Sequence, residues 1–212
     1  YVEAWAHETK TPLSLLTMVL DNQGDEIPAP AAFKLEYVRS QLQEHINQIL
    51  YYARLKSARK DYLFEHLDLN VCIEEVLEEY GLLLKEKDFQ VSIRVPSIKV
   101  FTDRRGIQFL IGQIVSNAVK YSSDSPKLTI TLEQEETAEI LRIRDNGIGV
   151  KECDLPYIFE KGFTGDPTDT GKKATGMGLY LSKKMAEDLN LELEVWSERG
   201  KGFEMTIIFP RV

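Results

Sequence analysis

Asp145-Asn146-Gly147-Ile148-Gly149 is the stretch on which the fold hinges. It follows Ile140 to Arg144, an alternating run that pairs by pattern with Leu128 to Gln134 as a hairpin. A carboxylate that ends a strand and enters two closely spaced glycines stands where the chain turns and where backbone can approach closely. Upstream, Ser116-Asn117-Ala118-Val119-Lys120-Tyr121 closes a helix predicted over 103–121, with Asp103 as its N-cap. Downstream, Gly176-Met177-Gly178-Leu179 opens another helix, so its first N–H groups can meet phosphate.

The flanking patterns complete an α/β layer. Leu69 to Lys87 reads as a helix with Asn70 as N-cap, and Gln90 to Val95 and Lys99 to Thr102 read as short strands. Leu191 to Ser197 and Phe203 to Phe209 form a second hairpin around Gly200-Lys201-Gly202. Between the hairpins, residues 145–173 show little periodicity, and a connection that long in a compact domain has the character of a functional lid.

The first sixty residues are of another kind. Residues 1–20 read as a helix interrupted at Pro12, Asp21 to Pro30 as a turn, and Ala31 to Lys60 as a second helix. On that second helix Leu35, Val38, Leu42, Ile49 and Tyr52 step by three and four, with His45 filling the gap, which is a heptad seam. A lone helical hairpin buries too little surface to stand alone, so a second copy packing against it as a four-helix bundle is predicted.

Composition narrows the function classes. With 43% hydrophobic residues in 212, the chain can bury a proper core. A formal charge of -8 supplies no broad basic face, which argues against nucleic acid as a partner. Cys72 and Cys153 lie in no metal or redox spacing, so both are expected as free thiols in a reduced compartment. No run approaches the ~20 apolar residues of a membrane span. The opening at Tyr1, directly on a motif-bearing helix, suggests a fragment whose upstream, membranous part has been cut away.

Ala6-His7-Glu8-Thr9-Lys10-Thr11-Pro12 carries the most reactive chemistry. Histidine is partly neutral near pH 7 and still nucleophilic, so His7 can attack a γ-phosphate without a strong base. Glu8 can hold the other ring N–H and fix the tautomer, or accept the proton. Thr11 stands one turn after His7 on the same face, where its hydroxyl can reach a water near a phosphorylated imidazole. Asn117 and Lys120, three apart on one helix face, let an amide oxygen complete a Mg²⁺ shell while an ammonium meets phosphate. Asp145 can accept a hydrogen bond from a ligand amino group. His45 and His66 lack any such context and read as a seam residue and a surface residue of the linker. A P-loop is excluded, because Met177-Gly178 follows Gly171 to Gly176 where Lys and Ser/Thr are required.

In this order and over nearly the whole chain, the His7 string, the Asn117 helix end, Asp145 to Gly149, Phe159-Glu160-Lys161-Gly162-Phe163 and Gly176 to Leu179 resemble the H, N, G1, F and G2 boxes of bacterial sensor histidine kinases. The resemblance implies an α+β protein. A dimerisation and histidine-phosphotransfer hairpin spans 1–60, a linker 61–65, and a Bergerat-type ATP-binding α/β sandwich, shared with gyrase, MutL and Hsp90 relatives, spans 66–212. It implies ATP and Mg²⁺ as cofactors. Asn117 is the implied metal ligand, Lys120 contacts phosphates, and Tyr121, Asp145, Gly147, Gly149, Gly176, Gly178 and Leu179 line or shape the nucleotide site. Phe159 and Phe163 pack the lid, and Lys161 is offered to the γ-phosphate, with Lys172 and Lys173 as further local cations. The implied reaction is autophosphorylation of His7 and transfer to an aspartate of a response regulator receiver domain, with a phosphatase role for Thr11. Tyr1-Val2-Glu3-Ala4-Trp5 before the H box is similar to intramembrane-sensing kinases that work beside peptide-antibiotic ABC transporters, and implies the cytoplasmic portion of a membrane-anchored protein.

The chain departs from that pattern in three places. Thr9 stands where Leu or Ile is usual, Gln113 where a further Asn is common, and Phe203 where some relatives carry a hydroxyl near adenine. Two other readings compete. A gyrase- or chaperone-like ATPase needs a general-base carboxylate four residues before Asn117, where this chain has Gln113, and a non-catalytic nucleotide-sensing dimer scaffold has no need of an intact His7.

Overall fold

A computed structural model describes residues 2–23, 27–56, 61–165 and 175–211, with the side chains of residues 2–7, 10, 21 and 29 outside the description. Two long helices come first, α1 (Val2–Gln23) and α2 (Ala29–Lys56). The interruption expected at Pro12 does not occur, because α1 runs through it. Proline removes one amide donor, and the turns on either side continue the helix while Leu13, the next residue, is buried on α2. α2 packs along α1 as the second arm of a hairpin, and Leu13 and Ile46 form a small buried cluster flanked by Leu16 and Leu50. Residues 57–60, the expected end of the second helix, lie outside the described residues.

The seam predicted on α2 faces outward. Leu35, Val38, Leu42 and Ile49 remain exposed, as do Leu15, Met18 and Val19 of α1. Tyr52 departs from that stripe: it is half-buried and turned toward Lys161, whose Nζ donates to its hydroxyl at 3.1 Å. No described helix is long and apolar enough to cross a membrane.

The remainder is a two-layer α/β sandwich. A five-stranded sheet runs in the order β2 (Gln90–Arg94), β4 (Lys127–Gln134), β5 (Ala138–Asp145), β7 (Gly202–Pro210), β6 (Glu192–Glu198), with β2 parallel to β4 and every other pair antiparallel. Both predicted hairpins are present. Their joining through β5 and β7 brings Ile143 opposite Met205, and Leu141 opposite Ile207, in the buried face. A small antiparallel pair, β1 (Phe64–Asp68) with β3 (Lys99–Asp103), stands beside the sheet. The sequence pattern did not predict β1, since only Leu67 of its five residues is buried. His66 lies on this strand, exposed, with its ring 5.1 Å from Phe101.

Helices α3 (Leu69–Glu79), α4 (Gly81–Glu86), α5 (Arg104–Lys120) and α6 (Gly178–Asp188) make the other layer. The single helix expected over 69–87 is two, broken where Tyr80 turns into the core and Gly81 follows with poor helix propensity. Its N-cap is Asp68 and not Asn70, because β1 delivers Asp68 in extended backbone and its carboxylate accepts from the Asn70 N–H at 3.1 Å. The cap predicted for α5 is present. Ile107, Leu110, Ile111, Ile114 and Val115 of α5 are all but fully buried, and each contributes about 1.5–3 kcal/mol on leaving water. Cys72 is buried and Cys153 exposed, both as free thiols.

Asp103 ties three elements together. Its Oδ1 accepts from the Gly106 N–H at 2.7 Å and its Oδ2 from the Leu63 N–H at 2.8 Å, so one buried carboxylate caps α5 and anchors the entry to β1. Asp103→Ala should therefore lower unfolding stability by about 2–3 kcal/mol, the sum of a lost cap and a buried donor left unpaired. Denaturant melts of the parent and variant measure this, and a loss under about 0.5 kcal/mol would show that Asp103 is not an anchor.

Candidate functional site

α5 has one face in the core and the other on a cleft. The buried apolar positions fix its rotation, and that rotation turns Gln113, Asn117, Lys120 and the following Tyr121 into an open cavity. The opposite wall comes from the turn after β5, with Asp145, Ile148, Gly149 and Val150, and from Phe203 at the start of β7. Phe163, Thr164, Gly165, Thr175 and Gly176 bound the cavity from the long connection, and Gly178 and Leu179 from the start of α6.

Asp145 is the best-defined polar group in this wall. It is only 8% exposed, and its Oδ1 accepts from the N–H groups of Gly147 at 2.7 Å and Phe203 at 3.3 Å. Burial raises its carboxyl above the ordinary range, against the opposing pull of those two N–H groups and of Arg144. Gly149 sits at φ +63°, and a Cβ there would stand 2.1 Å from the Glu198 carbonyl oxygen. The backbone turn and the β6–β7 connection can pass only because that residue is glycine. At Gly178 a Cβ would stand 2.3 Å from Gln113 Oε1, so α6 begins hard against α5. α6 carries no side-chain cap, which leaves its first-turn N–H groups for an anion.

These residues fit a magnesium nucleotide on their own chemistry. Among the described residues the Asn117 side chain makes no hydrogen bond, and no group of three His, Cys, Asp or Glu side chains converges on one point. A metal that keeps its waters and takes a single amide ligand suits such a site. Lys120 Nζ lies 5.3 Å from the Tyr121 ring centroid, at the edge of the cavity.

Of the residues singled out in the sequence, Asn117, Lys120, Tyr121, Asp145, Gly149, Phe163, Gly176, Gly178 and Leu179 line this one cavity. Gly147 stands just behind the wall through its bond to Asp145. Phe159 packs against the core under Lys183, 5.5 Å from its Nζ, and does not line the cavity. Lys161 does not line it either: its Nζ is held by the Tyr52 hydroxyl, 5.0 Å above the ring. An exposed lysine reaching a phenol on α2 satisfies one donor there without leaving water. Lys172 and Lys173 lie outside the described residues, as does the His7 side chain. Glu8 and Thr11 are exposed on α1, away from the cavity.

Several lining residues escaped the sequence reading. Glu44 and Gln48 come from α2, and Lys151, Asp154 and Arg199 from loops. Glu44 Oε2 accepts from Ser116 Oγ at 2.6 Å, and Gln48 Nε2 donates to both Glu44 Oε1 at 3.0 Å and Gln113 Oε1 at 3.1 Å. Their i, i+4 spacing with Tyr52 was visible, but only docking of α2 on α5 gives it a partner.

A family model for histidine kinase-, DNA gyrase B-, and HSP90-like ATPases matches residues 102–212. The sensor protein BceS of Halalkalibacterium halodurans is 33% identical over 208 residues, which is 98% of this chain and 61% of that protein. The chain thus spans about three fifths of the length of the curated relatives it matches. Full-length ShkA, solved in complex with AMPPNP, superposes with a TM-score of 0.70 at 22% identity over 99% of this chain and 45% of that one. The histidine kinase ThkA, solved in complex with the response regulator protein TrrA, superposes at 0.65 with 20% identity, over 99% of this chain and 60% of that one. Both solved structures share the fold.

Asp145→Asn keeps an oxygen for Gly147 and Phe203 and removes the charge. ATP affinity should fall about tenfold or more, the worth of a charge-assisted hydrogen bond, while thermal stability holds or rises. The pH dependence follows from the raised carboxyl. The folded protein holds the Asp145 proton more tightly than the unfolded chain, so this group adds stability as pH falls through its raised value toward the ordinary ~3.9. ATP affinity should weaken over that same range in the parent and not in the variant, which calorimetric titration at several pH values measures.

Proposed function

The chain belongs to the histidine kinase-, DNA gyrase B- and HSP90-like ATPases, and we propose that within them it is the kinase core of a two-component sensor histidine kinase. The observation that carries this reading is one cavity that gathers Asn117, Lys120, Tyr121, Asp145, Gly149, Gly176 and Gly178 and opens against α2 of the histidine-bearing hairpin. Residues 1–60 act as the dimerisation and phosphotransfer domain, 61–65 as linker and 66–212 as the ATP-binding domain.

Asp145 reads the adenine amino group, Asn117 ligates Mg²⁺, and Lys120 with the α6 N-terminus takes phosphate charge. When bound, the metal neutralises charge that builds on the transferring phosphoryl group. A ring nitrogen of His7 forms a bond to the γ-phosphorus of ATP as the bond to the ADP oxygen breaks, and Glu8 holds the other ring N–H or accepts its proton. The phosphoryl group then passes to an aspartate of a receiver domain, as the ThkA–TrrA pairing suggests by analogy. Thr11, exposed one turn past His7, positions a water for attack on the regulator's phospho-aspartate, which releases inorganic phosphate and restores the aspartate.

Leu13 packs with Ile46, so six residues back on α1 and six forward on α2 bring His7 level with Tyr52. Tyr52 is the residue that holds Lys161. This supports delivery of the γ-phosphate to that level of the hairpin. The similarity of Tyr1-Val2-Glu3-Ala4-Trp5 before the H box to intramembrane-sensing kinases supports a membrane-anchored parent protein with this chain on its cytoplasmic side, working beside a peptide-antibiotic ABC transporter. An ATPase clamp is the weaker reading, because α5 carries Gln113 where its general base would stand.

Incubation with γ-labelled ATP should leave acid-labile, alkali-stable phosphate on the protein. His7→Gln should abolish the label with ATP affinity retained, whereas Asn117→Asp should lose nucleotide binding and label together; label persisting in pure His7→Gln protein would sink the assignment. The exposed stripe Leu35, Val38, Leu42 and Ile49 supports a homodimer through the hairpin. Leu42→Asp should convert it to monomer, since a buried unpaired carboxylate is costly. Light scattering decides this, and a monomeric parent at micromolar concentration would count against the bundle.

A further inference from the structure

The cavity has an unexpected charge balance. Among the described residues its lining carries three cations, Lys120, Lys151 and Arg199, and three carboxylates, Asp145, Asp154 and Glu44. A polyphosphate gains little from the net charge of these described groups taken together. Asp145 is taken up by backbone N–H groups in the wall, but Glu44 enters from a different element, α2.

Its placement is built. Both carboxylate oxygens have donors: Oε2 takes Ser116 Oγ at 2.6 Å, and Oε1 takes Gln48 Nε2 at 3.0 Å and Gln113 Nε2 at 3.4 Å. Gln48 and Gln113 are themselves 8% and 4% exposed, so the carboxylate is held by a nearly buried amide pair. Gln113 lies one turn before Asn117 on the same face of α5, and Ser116 lies directly before it. The negative charge is felt in the cavity, since after burial it is the Glu44 carboxylate that pushes the Tyr121 phenol up.

We infer that Glu44 is a specificity-determining residue: it repels nucleotide phosphates that arrive without a divalent cation and tolerates the magnesium complex, so the site selects Mg-nucleotide over free nucleotide. The inference rests on the nucleotide site proposed above. A carboxylate beside the phosphate end opposes a bare triphosphate and attracts a metal-bridged one. The chain thereby supplies this negative charge from α2, on a helix that meets α5 at Gln113. The selection acts only while α2 is docked on α5, because Glu44 and Asn117 ride on separate helices.

Titration with AMPPNP, which cannot donate its γ-phosphoryl group, tests this on the full chain in excess magnesium and in excess EDTA. The ratio of the two dissociation constants is the readout. Glu44→Gln keeps size and an acceptor for Ser116, and should cut that ratio at least about tenfold, mainly by tightening metal-free binding. Glu44→Asp, which keeps the charge, should retain most of it. A ratio unchanged in Glu44→Gln, or cut equally in Glu44→Asp, would overturn the inference and leave the nucleotide site standing. Failure of the parent to bind AMPPNP in magnesium would overturn the site itself, and this inference with it.

Discussion

The packing of α5 into the sheet is the constraint from which the rest follows. Nine of its residues are buried, among them Ile107, Leu110, Ile111, Ile114 and Val115, and a helix anchored that completely cannot rotate about its axis. Asn117 and Lys120 are carried to the cavity by that fixed rotation, as is Gln113 to its junction with α2. Asp103 fixes the other end of α5 by capping it and by accepting from Leu63, so the helix is located along its axis as well.

The cavity is consequently a seam between three independently anchored pieces. The β5 turn contributes Asp145, α6 contributes Gly178 hard against Gln113, and α2 contributes Glu44 and Gln48. Each is held by its own core contacts and meets the others through short polar bonds. Such a site can be strict about geometry on the α5 and β5 sides and still respond to movement of α2. The contacts of α2 with the ATP-binding layer include the polar stripe Glu44, Gln48 and Tyr52, one residue per turn. Tyr51 adds an aromatic contact with Phe109, and its hydroxyl donates to Asp188 at 3.4 Å, while that of Tyr62 donates to the same carboxylate at 2.7 Å.

This arrangement gives the hairpin two faces with different duties. The apolar stripe from Leu35 to Ile49 is left for another surface, and the polar stripe grips the nucleotide layer. Movement that separates the hairpin from α5 would release Glu44, Gln48 and Lys161 together, because all three bonds lie along one helix face.

Much was legible in the sequence because its determinants are local. Asp145 before two glycines marks a strand end and a turn, Asp103 caps α5 by its own side chain, and the two hairpins announce themselves by alternation. Lys120 three residues after Asn117 guarantees a shared face wherever the helix packs. What tertiary structure decided was everything that depends on contact between distant segments. Strand β1 has one buried residue and exists through pairing with β3, which no pattern in Phe64–Asp68 reveals. Pro12 does not end α1, since packing of Leu13 on α2 outweighs one lost hydrogen bond. Lys161, a cation suited to phosphate, rests on Tyr52, and Glu44 enters the cavity wall from 72 residues before its partner Ser116. Side-chain chemistry and helical or strand period are properties of neighbouring residues, and sequence alone fixes them; the sharing of a cavity by separate helices is a property of packing, and only the folded chain decides it.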